Sequence, residues 1–222
     1  VGDIPGNAAR AIEAVREARI EHGADIVVFP ELFLSGYPPE DLLLRPSMET
    51  RLREARALMA SKVARDVLVI IGYPGVREGR CYNLAGVLYN GQWEAEYAKQ
   101  ALPNYQVFDE QRYFTPGTET LVYEHKGAKL GIVICEDLWD GAPVKAAAQA
   151  GAEVLVSLHA SPYHQDKPAE RLRLLEKHAQ DTQLPIVYVN TIGGQDELVF
   201  DGGSCCVNAS GELQVLAPYW QA

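Results

Sequence analysis

Two rhythms of apolar residues alternate along the chain. The first is the short unbroken run: Asp25-Ile26-Val27-Val28-Phe29, Val67-Leu68-Val69-Ile70-Ile71-Gly72-Tyr73, Gly131-Ile132-Val133-Ile134, Val154-Leu155-Val156-Ser157-Leu158 and Ile186-Val187-Tyr188-Val189. Each is rich in β-branched residues and too short for an ordinary helix, which predicts strands buried on both faces. The second rhythm recurs every three to four residues, at Ala8, Ala11, Ile12, Val15 and Ala18, at Met48, Leu52, Ala55, Met59 and Val63, and at Leu172, Leu175 and Ala179. That spacing predicts helices with one apolar face, on which Met48 and Met59 are core residues. Asn7 is the expected N-cap of the first helix and Gly23 its stop; another helix is expected from about Ala142, and Pro168 falls in the first turn of the last.

Turn residues decide how the strands connect. Asn90-Gly91 separates an apolar run ending at Tyr89 from a returning run, Gln92 to Ala98, and Asn-Gly in that setting is a strong hairpin signal. A second hairpin is expected near Lys126-Gly127, feeding directly into Gly131-Ile132-Val133-Ile134, and a last one runs through Cys205-Cys206-Val207 and Leu213-Gln214-Val215. Hairpins mixed with strand-helix-strand units exclude both a plain parallel doubly wound sheet and an all-β sandwich. The predicted class is α/β, a four-layer αββα sandwich of two mixed β-sheets with outer helices. No repeat, low-complexity tract or linker divides residues 1–222, so one domain is expected.

Composition removes several functions. Of 222 residues, 47% are hydrophobic and 23% charged, and the formal net charge is −10. With no basic stretch interleaved with aromatics, nucleic acid and anionic membrane are not expected as partners. Apolar runs are broken by charge well before the ~18 residues of a membrane span, and no signal-like start precedes them. The four cysteines (Cys81, Cys135, Cys205, Cys206) lack the spacing of a zinc site or disulfide framework, which fits a reducing, cytoplasmic setting. The chain opens on Val1 without an initiator Met or a strand ahead of the first helix, and both ends are expected to be trimmed.

Three predicted strand ends carry chemistry. Pro30 stops the first strand just before Glu31, the Gln92–Ala98 strand delivers Lys99, and the run ending at Ile134 opens onto Cys135-Glu136-Asp137. A thiol is a weak nucleophile at pH 7 unless a base or cation stabilises its thiolate, and Glu136 and Asp137 act in the opposite sense. Glu31 as base and Lys99 as cation would supply what is missing. The five histidines (His22, His125, His159, His164, His178) share no spacing and are read as surface or core polar positions.

Phe29-Pro30-Glu31-Leu32, Tyr97-Ala98-Lys99 and Ile134-Cys135-Glu136-Asp137 resemble the three motifs of the nitrilase superfamily, enzymes that cleave amide-type C–N bonds with a Glu-Lys-Cys triad. Longer strings extend the likeness over nearly the whole chain. Ser35-Gly36-Tyr37-Pro38-Pro39-Glu40-Asp41-Leu42, Leu102-Pro103-Asn104-Tyr105, Val107-Phe108-Asp109-Glu110-Gln111-Arg112-Tyr113-Phe114 and Gly193-Gly194-Gln195-Asp196-Glu197-Leu198-Val199-Phe200-Asp201-Gly202 resemble the glutaminase domains of glutamine-dependent NAD synthetases. This resemblance implies Glu31 as base, Lys99 as the lysine, Cys135 as nucleophile and Glu110 as the second glutamate. It implies substrate contacts at Tyr37, Tyr105, Glu136, Ser161 and Lys167.

The implied reaction is hydrolysis of glutamine to glutamate and ammonia through a Cys thioester. A C-terminal NAD synthetase domain, not in this sequence, would use that ammonia to amidate nicotinic acid adenine dinucleotide. ATP and Mg²⁺ would belong to that partner domain; no cofactor or metal is implied for this portion, and a homo-oligomer is. The residues leave two alternatives open: another superfamily amidase or carbamoylase, and a catalytically inactive docking domain. The sequence departs from the family where His159 stands before Ala160-Ser161-Pro162-Tyr163 in place of a frequent Asn, and where the first strand with its Ala-Gln signature is missing. The Gly193-Gly194 and Gly202-Gly203 pairs lack the following Lys-Ser/Thr of a phosphate-binding loop.

Overall fold

In the computed structural model, which describes Val1–Gln221, the first apolar stripe forms α1 (Ile4–His22). The helix starts ahead of the predicted cap. Asp3 Oδ1 accepts the Gly6 N–H at 3.1 Å and Pro5 occupies the first turn, so Asp3, not Asn7, ends the helix. Asn7 instead lies inside it and donates from Nδ2 to the Leu34 carbonyl at 3.1 Å. Gly23 closes α1 at φ 61°, with Ala24 N–H returning to the Ala18 carbonyl at 3.1 Å.

The chain sorts into two compact units, Val1–Gly117 and Thr118–Ala222. In the first, α1 and α2 (Pro46–Lys62) accompany a four-stranded mixed sheet of order β1-β2-β3-β4, where β1 is Ile26–Val28, β2 Leu68–Arg77, β3 Arg80–Tyr89 and β4 Gln92–Ala98. β1 pairs parallel to β2, with Ile26 opposite Leu68; the other pairs are antiparallel. Alternate residues Val67, Val69, Ile71 and Tyr73, along and just before β2, share one core with Ile4, Ala8, Ala11 and Val15 of α1 and Met48, Leu52, Ala55 and Met59 of α2. Leu68 and Ile70, on the opposite side of the pleat, are equally buried, as an unbroken apolar run predicts.

The second unit holds a six-stranded mixed sheet of order β12-β11-β8-β7-β6-β5. Its strands are β5 (Leu121–His125), β6 (Ala128–Ile134), β7 (Val154–His159), β8 (Ile186–Asn190), β11 (Cys205–Val207) and β12 (Leu213–Leu216), and β6, β7 and β8 run parallel. A separate hairpin pairs β9 (Ile192–Gln195) with β10 (Leu198–Asp201). Helices α3 (Glu136–Asp140), α4 (Ala142–Gln149) and α5 (Lys167–Thr182) complete the unit. Val133, Leu155, Ile186 and Tyr188 form its core with Val144 and Ala147 of α4 and Leu175 and Ala179 of α5. Gly131 permits this packing: a Cβ there would stand 2.9 Å from the Ala152 methyl and 3.0 Å from that of Ala147.

The expected class therefore holds, α/β with two mixed sheets and packed helices. Burial on both faces, expected of the unbroken apolar runs, is incomplete at β1, which is half-buried along its length, and at β8, and it does not extend to the other strands. β12 is exposed along its whole length and β4 is mostly half-exposed, since edge strands have neighbours on one side only. Among the described residues no helix is long and apolar enough to cross a membrane.

Candidate active site

In the first unit, β1 ends at Val28 and the chain turns sharply over β2. Glu31 sits in that turn, followed by Leu32 at a strained φ of 49°. Gly72 of β2 makes room: a Cβ at that position would lie 2.3 Å from the Leu32 nitrogen and 2.5 Å from the Pro30 carbonyl oxygen. The Gly72 N–H donates to that same oxygen at 3.2 Å, so the turn is stitched to the strand beneath it.

Lys99 follows β4 and continues its pairing, its N–H donating to the Asn83 carbonyl at 2.9 Å. Lys99 and Asn83 are thus cross-strand neighbours and project to one face. Both side chains reach Glu31: Lys99 Nζ and Asn83 Nδ2 each donate to Glu31 Oε1 at 2.8 Å. Glu110, in a short 3₁₀ turn (Glu110–Arg112), receives Lys99 Nζ on both carboxylate oxygens at 2.8 Å and the Tyr37 hydroxyl on Oε1 at 3.3 Å. Lys99 is completely buried and Glu31 almost so. One cation therefore faces two carboxylates away from water. Burial, opposed by Lys99 and reinforced by the negative charge of Glu31, pushes the Glu110 carboxyl up to about 7.

In the second unit, Cys135 directly follows β6 in a backbone conformation, φ 46° and ψ −98°, that non-glycine residues rarely adopt. Hydrogen bonds hold this elbow. Cys135 N–H donates to the Leu158 carbonyl at 2.8 Å, and buried Asp137 accepts the Ile134 N–H at 2.9 Å, folding α3 back onto the strand end. At the other end of α3, His178 Nε2 lies 2.7 Å from the Leu138 carbonyl. A carbonyl only accepts, so Nε2 carries the hydrogen; burial lowers the pKa of this imidazole and keeps it neutral. The other thiols are poorly suited to ionise, since burial pushes Cys81 up to about 11 and Cys205 up to about 12, and raises Cys206.

Ser161, just beyond β7, is pinned on every side. Its N–H donates to Asn190 Oδ1 at 2.9 Å, while Arg171 of α5 donates from Nη2 to its carbonyl at 2.7 Å and from Nε to its hydroxyl at 3.3 Å. Arg171 Nη1 is held by both oxygens of Asp201, at 2.7 and 2.8 Å. Lys167, expected as a substrate contact, has its ammonium over the Trp139 ring, 3.8 Å from the centroid, and 3.6 Å from Glu170. Tyr105 is half exposed and packs edge-on against Phe108.

The expected residues thus fall into groups. Glu31, Lys99, Glu110 and Tyr37 are joined by hydrogen bonds in the first unit; Cys135 and Glu136 share the elbow of the second, where Ser161 is joined to Arg171 and not to Lys167. Asn83, Asp137, Arg171, Asn190 and Asp201 were missed. Arg171 had a signal: it lies one turn before Leu175 and two before Ala179, on the apolar stripe of α5. A cavity of about 320 Å³ in the first unit, bordered by Leu52, Arg56 and Cys81 among others, has none of Glu31, Lys99 or Glu110 in its wall.

Comparison with known proteins decides the family. The carbon-nitrogen hydrolase family matches residues 1–222. The chain belongs to that family. Glutamine-dependent NAD(+) synthetases of Thermotoga maritima and Xylella fastidiosa are 47% and 45% identical to it, over 96% and 98% of this chain respectively. The chain spans about two fifths of their length, 37% and 40%. It corresponds to the carbon-nitrogen hydrolase portion of such enzymes. Among solved structures, the glutamine-dependent NAD⁺ synthetase of Acinetobacter baumannii superposes with a TM-score of 0.96 and 41% identity, covering all of this chain and 42% of its own. An amidase of the nitrilase superfamily from Nesterenkonia matches with TM-score 0.87 and 26% identity over 98% of this chain and 84% of the amidase, and in one structure of that protein acrylamide has added to the active-site cysteine.

Proposed function

We propose that this carbon-nitrogen hydrolase chain cleaves the side-chain amide of glutamine to glutamate and ammonia, with Glu31, Lys99 and Cys135 acting together. The observation that carries the reading is Lys99, fully buried and bound by two carboxylates, in a chain that is 45% identical to a glutamine-dependent NAD(+) synthetase. Burying a cation among acids at the end of a strand is unfavourable unless a later charge requires it.

In this reading Glu31 takes the thiol proton and the Cys135 sulfur bonds to the carboxamide carbon, placing a negative charge on the carbonyl oxygen. Three hydrogens on Lys99 already meet three carboxylate oxygens. Once Glu31 is protonated its hold on Lys99 weakens, and that donor is released when the oxyanion forms. The N–H of Glu136, the residue that follows the reacting sulfur, is the second donor. Collapse breaks the C–N bond, and Glu31 returns its proton to the departing nitrogen as ammonia. Water then gives a proton to Glu31 and its oxygen to the thioester carbon; the C–S bond breaks, and the sulfur takes that proton back from Glu31, freeing glutamate and the thiol. Glu110 and Asn83 hold Lys99 and Glu31 in place.

Tyr37, Tyr105, Glu136, Ser161 and Lys167 are the proposed substrate contacts. In the full-length, cytoplasmic, homo-oligomeric enzyme the ammonia passes to a synthetase domain that uses ATP and Mg²⁺ to make NAD. The likeness to the Nesterenkonia amidase supports a second reading, an amidase of another small amide, and a panel of amides alongside glutamine separates the two. The test supplies the purified chain with glutamine, ATP, Mg²⁺ and adenylated nicotinic acid. Glutamate without NAD is expected; absence of glutamate, or NAD made by this chain alone, overturns the assignment. A glutamine-mimicking electrophile should label Cys135 at least about tenfold faster than Cys81, Cys205 or Cys206 by peptide mass spectrometry.

A further inference from the structure

The proposed serine contact stands on a buried polar frame built by Arg171, Asn190 and Asp201. Ser161 offers three polar groups, and two residues anchor them. Asn190 Oδ1 accepts its N–H at 2.9 Å, and Arg171 binds its carbonyl at 2.7 Å and its hydroxyl at 3.3 Å. Nη2 of the same guanidinium also reaches the Pro162 carbonyl at 3.2 Å, fixing two successive peptide units. The guanidinium is itself held by Asp201, which is completely buried, at the end of β10. Asn190 Nδ2 donates to the Gly202 carbonyl at 2.9 Å, so both anchors of Ser161 lead back to the Asp201-Gly202 corner.

That corner is rigid for steric reasons. Gly202 N–H donates to the Thr191 carbonyl at 3.0 Å, and Gly203 at φ +66° could not carry a Cβ, which would lie 2.2 Å from the Tyr219 ring. A guanidinium donates and never accepts, so in the Arg171 contact the Ser161 oxygen is the acceptor and its hydrogen is directed elsewhere. A serine needed only for packing would not require two nitrogens of a buried arginine whose third is held by a dedicated carboxylate. Replacing such a pair by apolar side chains is often neutral for stability, so the pair is explained by what it positions.

We propose that Arg171 is a positioning residue for substrate binding: anchored by Asp201, it sets the place of Ser161, so the corner after β10 governs glutamine affinity without contacting the substrate. The inference rests on the reading of Ser161 as a substrate contact. Nothing in it requires Arg171 to act on Cys135. Substrate affinity and thiol reactivity should therefore separate.

The experiment compares Arg171→Lys, Asp201→Asn, Ser161→Ala and the Arg171→Lys/Ser161→Ala double variant with the wild-type chain. Arg171→Lys keeps the charge facing Asp201 but loses the fork that reaches Ser161; Asp201→Asn is the milder change should the first impair folding. Readouts are KM and kcat for glutamine and the rate of Cys135 alkylation by iodoacetamide, which needs no glutamine-binding contact. Arg171→Lys should raise KM about tenfold, the effect of losing one to two hydrogen bonds, with kcat within about threefold and alkylation unchanged. Asp201→Asn should raise KM in the same sense by less. The double variant should be no worse than Ser161→Ala alone, because the two act through one contact. An unchanged KM in Arg171→Lys beside a raised KM in Ser161→Ala overturns the role of Arg171 alone. Losses that multiply in the double variant, or a joint fall in kcat and alkylation, overturn it as well. An unchanged KM in Ser161→Ala overturns the contact on which the proposal rests, and a wild-type chain inert toward glutamine overturns the proposed function itself.

Discussion

The two units each bury an arginine or lysine against carboxylates, and the difference lies in the count. In the second unit, one guanidinium meets one carboxylate and three oxygens of neutral groups, and every nitrogen is used. In the first, one ammonium is shared by two carboxylates, so the cluster carries more negative than positive charge unless a proton joins it. The balanced pair has nothing to gain from a proton and serves as a frame. The unbalanced cluster is poised for proton exchange, and Glu110, pushed up to about 7, registers that imbalance. Charge count within a buried cluster thus separates a positioning device from a candidate proton-handling site before any substrate is present.

Removing the cation tests the contrast most severely. In the balanced pair, Arg171→Met leaves Asp201 buried with no countercharge, and the unfolding free energy should drop by about 3–5 kcal/mol. Urea unfolding at pH 7 measures it. A loss below about 1 kcal/mol, the range of a solvated surface pair, would mean that water reaches the pair and that it is no frame.

The corresponding change in the first unit should strike turnover. Lys99→Met preserves the stem while removing the donor assigned to the oxyanion, and turnover of glutamine should fall on the order of 100-fold or more. Its two carboxylates can share a proton once the cation is gone, so the variant should remain folded, most firmly at low pH. Hydrolysis at near wild-type rate would make Lys99 a structural ion-pair partner and the cluster no different in kind from Arg171 and Asp201.

Some of this contrast was legible in the sequence. Glu31 and Lys99 were placed correctly at strand ends because Pro30 must stop a ladder and because Asn90-Gly91 sets where β4 begins and so where it delivers Lys99. The start of α1 was misplaced because Asn7 and Asp3 are both good caps, and only the position of Pro5 favours the earlier one. The frame around Ser161 was not legible for a different reason. The family resemblance pointed to Lys167 as the basic substrate contact beyond Ser161 and gave no role to Arg171. Which one turns inward depends on the face that α5 presents to its sheet, and that is fixed by Leu175 and Ala179 packing against residues far away in the chain. Asn83 escaped for the same reason, being a polar residue in an apolar strand whose partner, Glu31, lies 52 positions earlier.

The smallest expected effect is the most diagnostic of charge imbalance. Glu110 faces Lys99, the Glu31 carboxylate and the Tyr37 hydroxyl, and its folded-state pKa of about 7 lies above its ordinary value of 4.5. A carboxyl shifted upward holds its proton more tightly when folded than when unfolded. Between roughly pH 4.5 and 7 the folded chain therefore binds more protons, and stability from this group is present below that window and lost as pH rises through it. Glu110→Gln, which keeps the shape and cannot ionise, removes that dependence. The wild-type chain should lose on the order of 2 kcal/mol more than the Gln variant between about pH 5 and 8, measured as the difference in urea unfolding free energies. Every other titrating group is common to both proteins, so the difference isolates Glu110. Parallel pH profiles for the two proteins would show that Lys99 satisfies both carboxylates as ions, and the distinction drawn between the two buried clusters would then be lost.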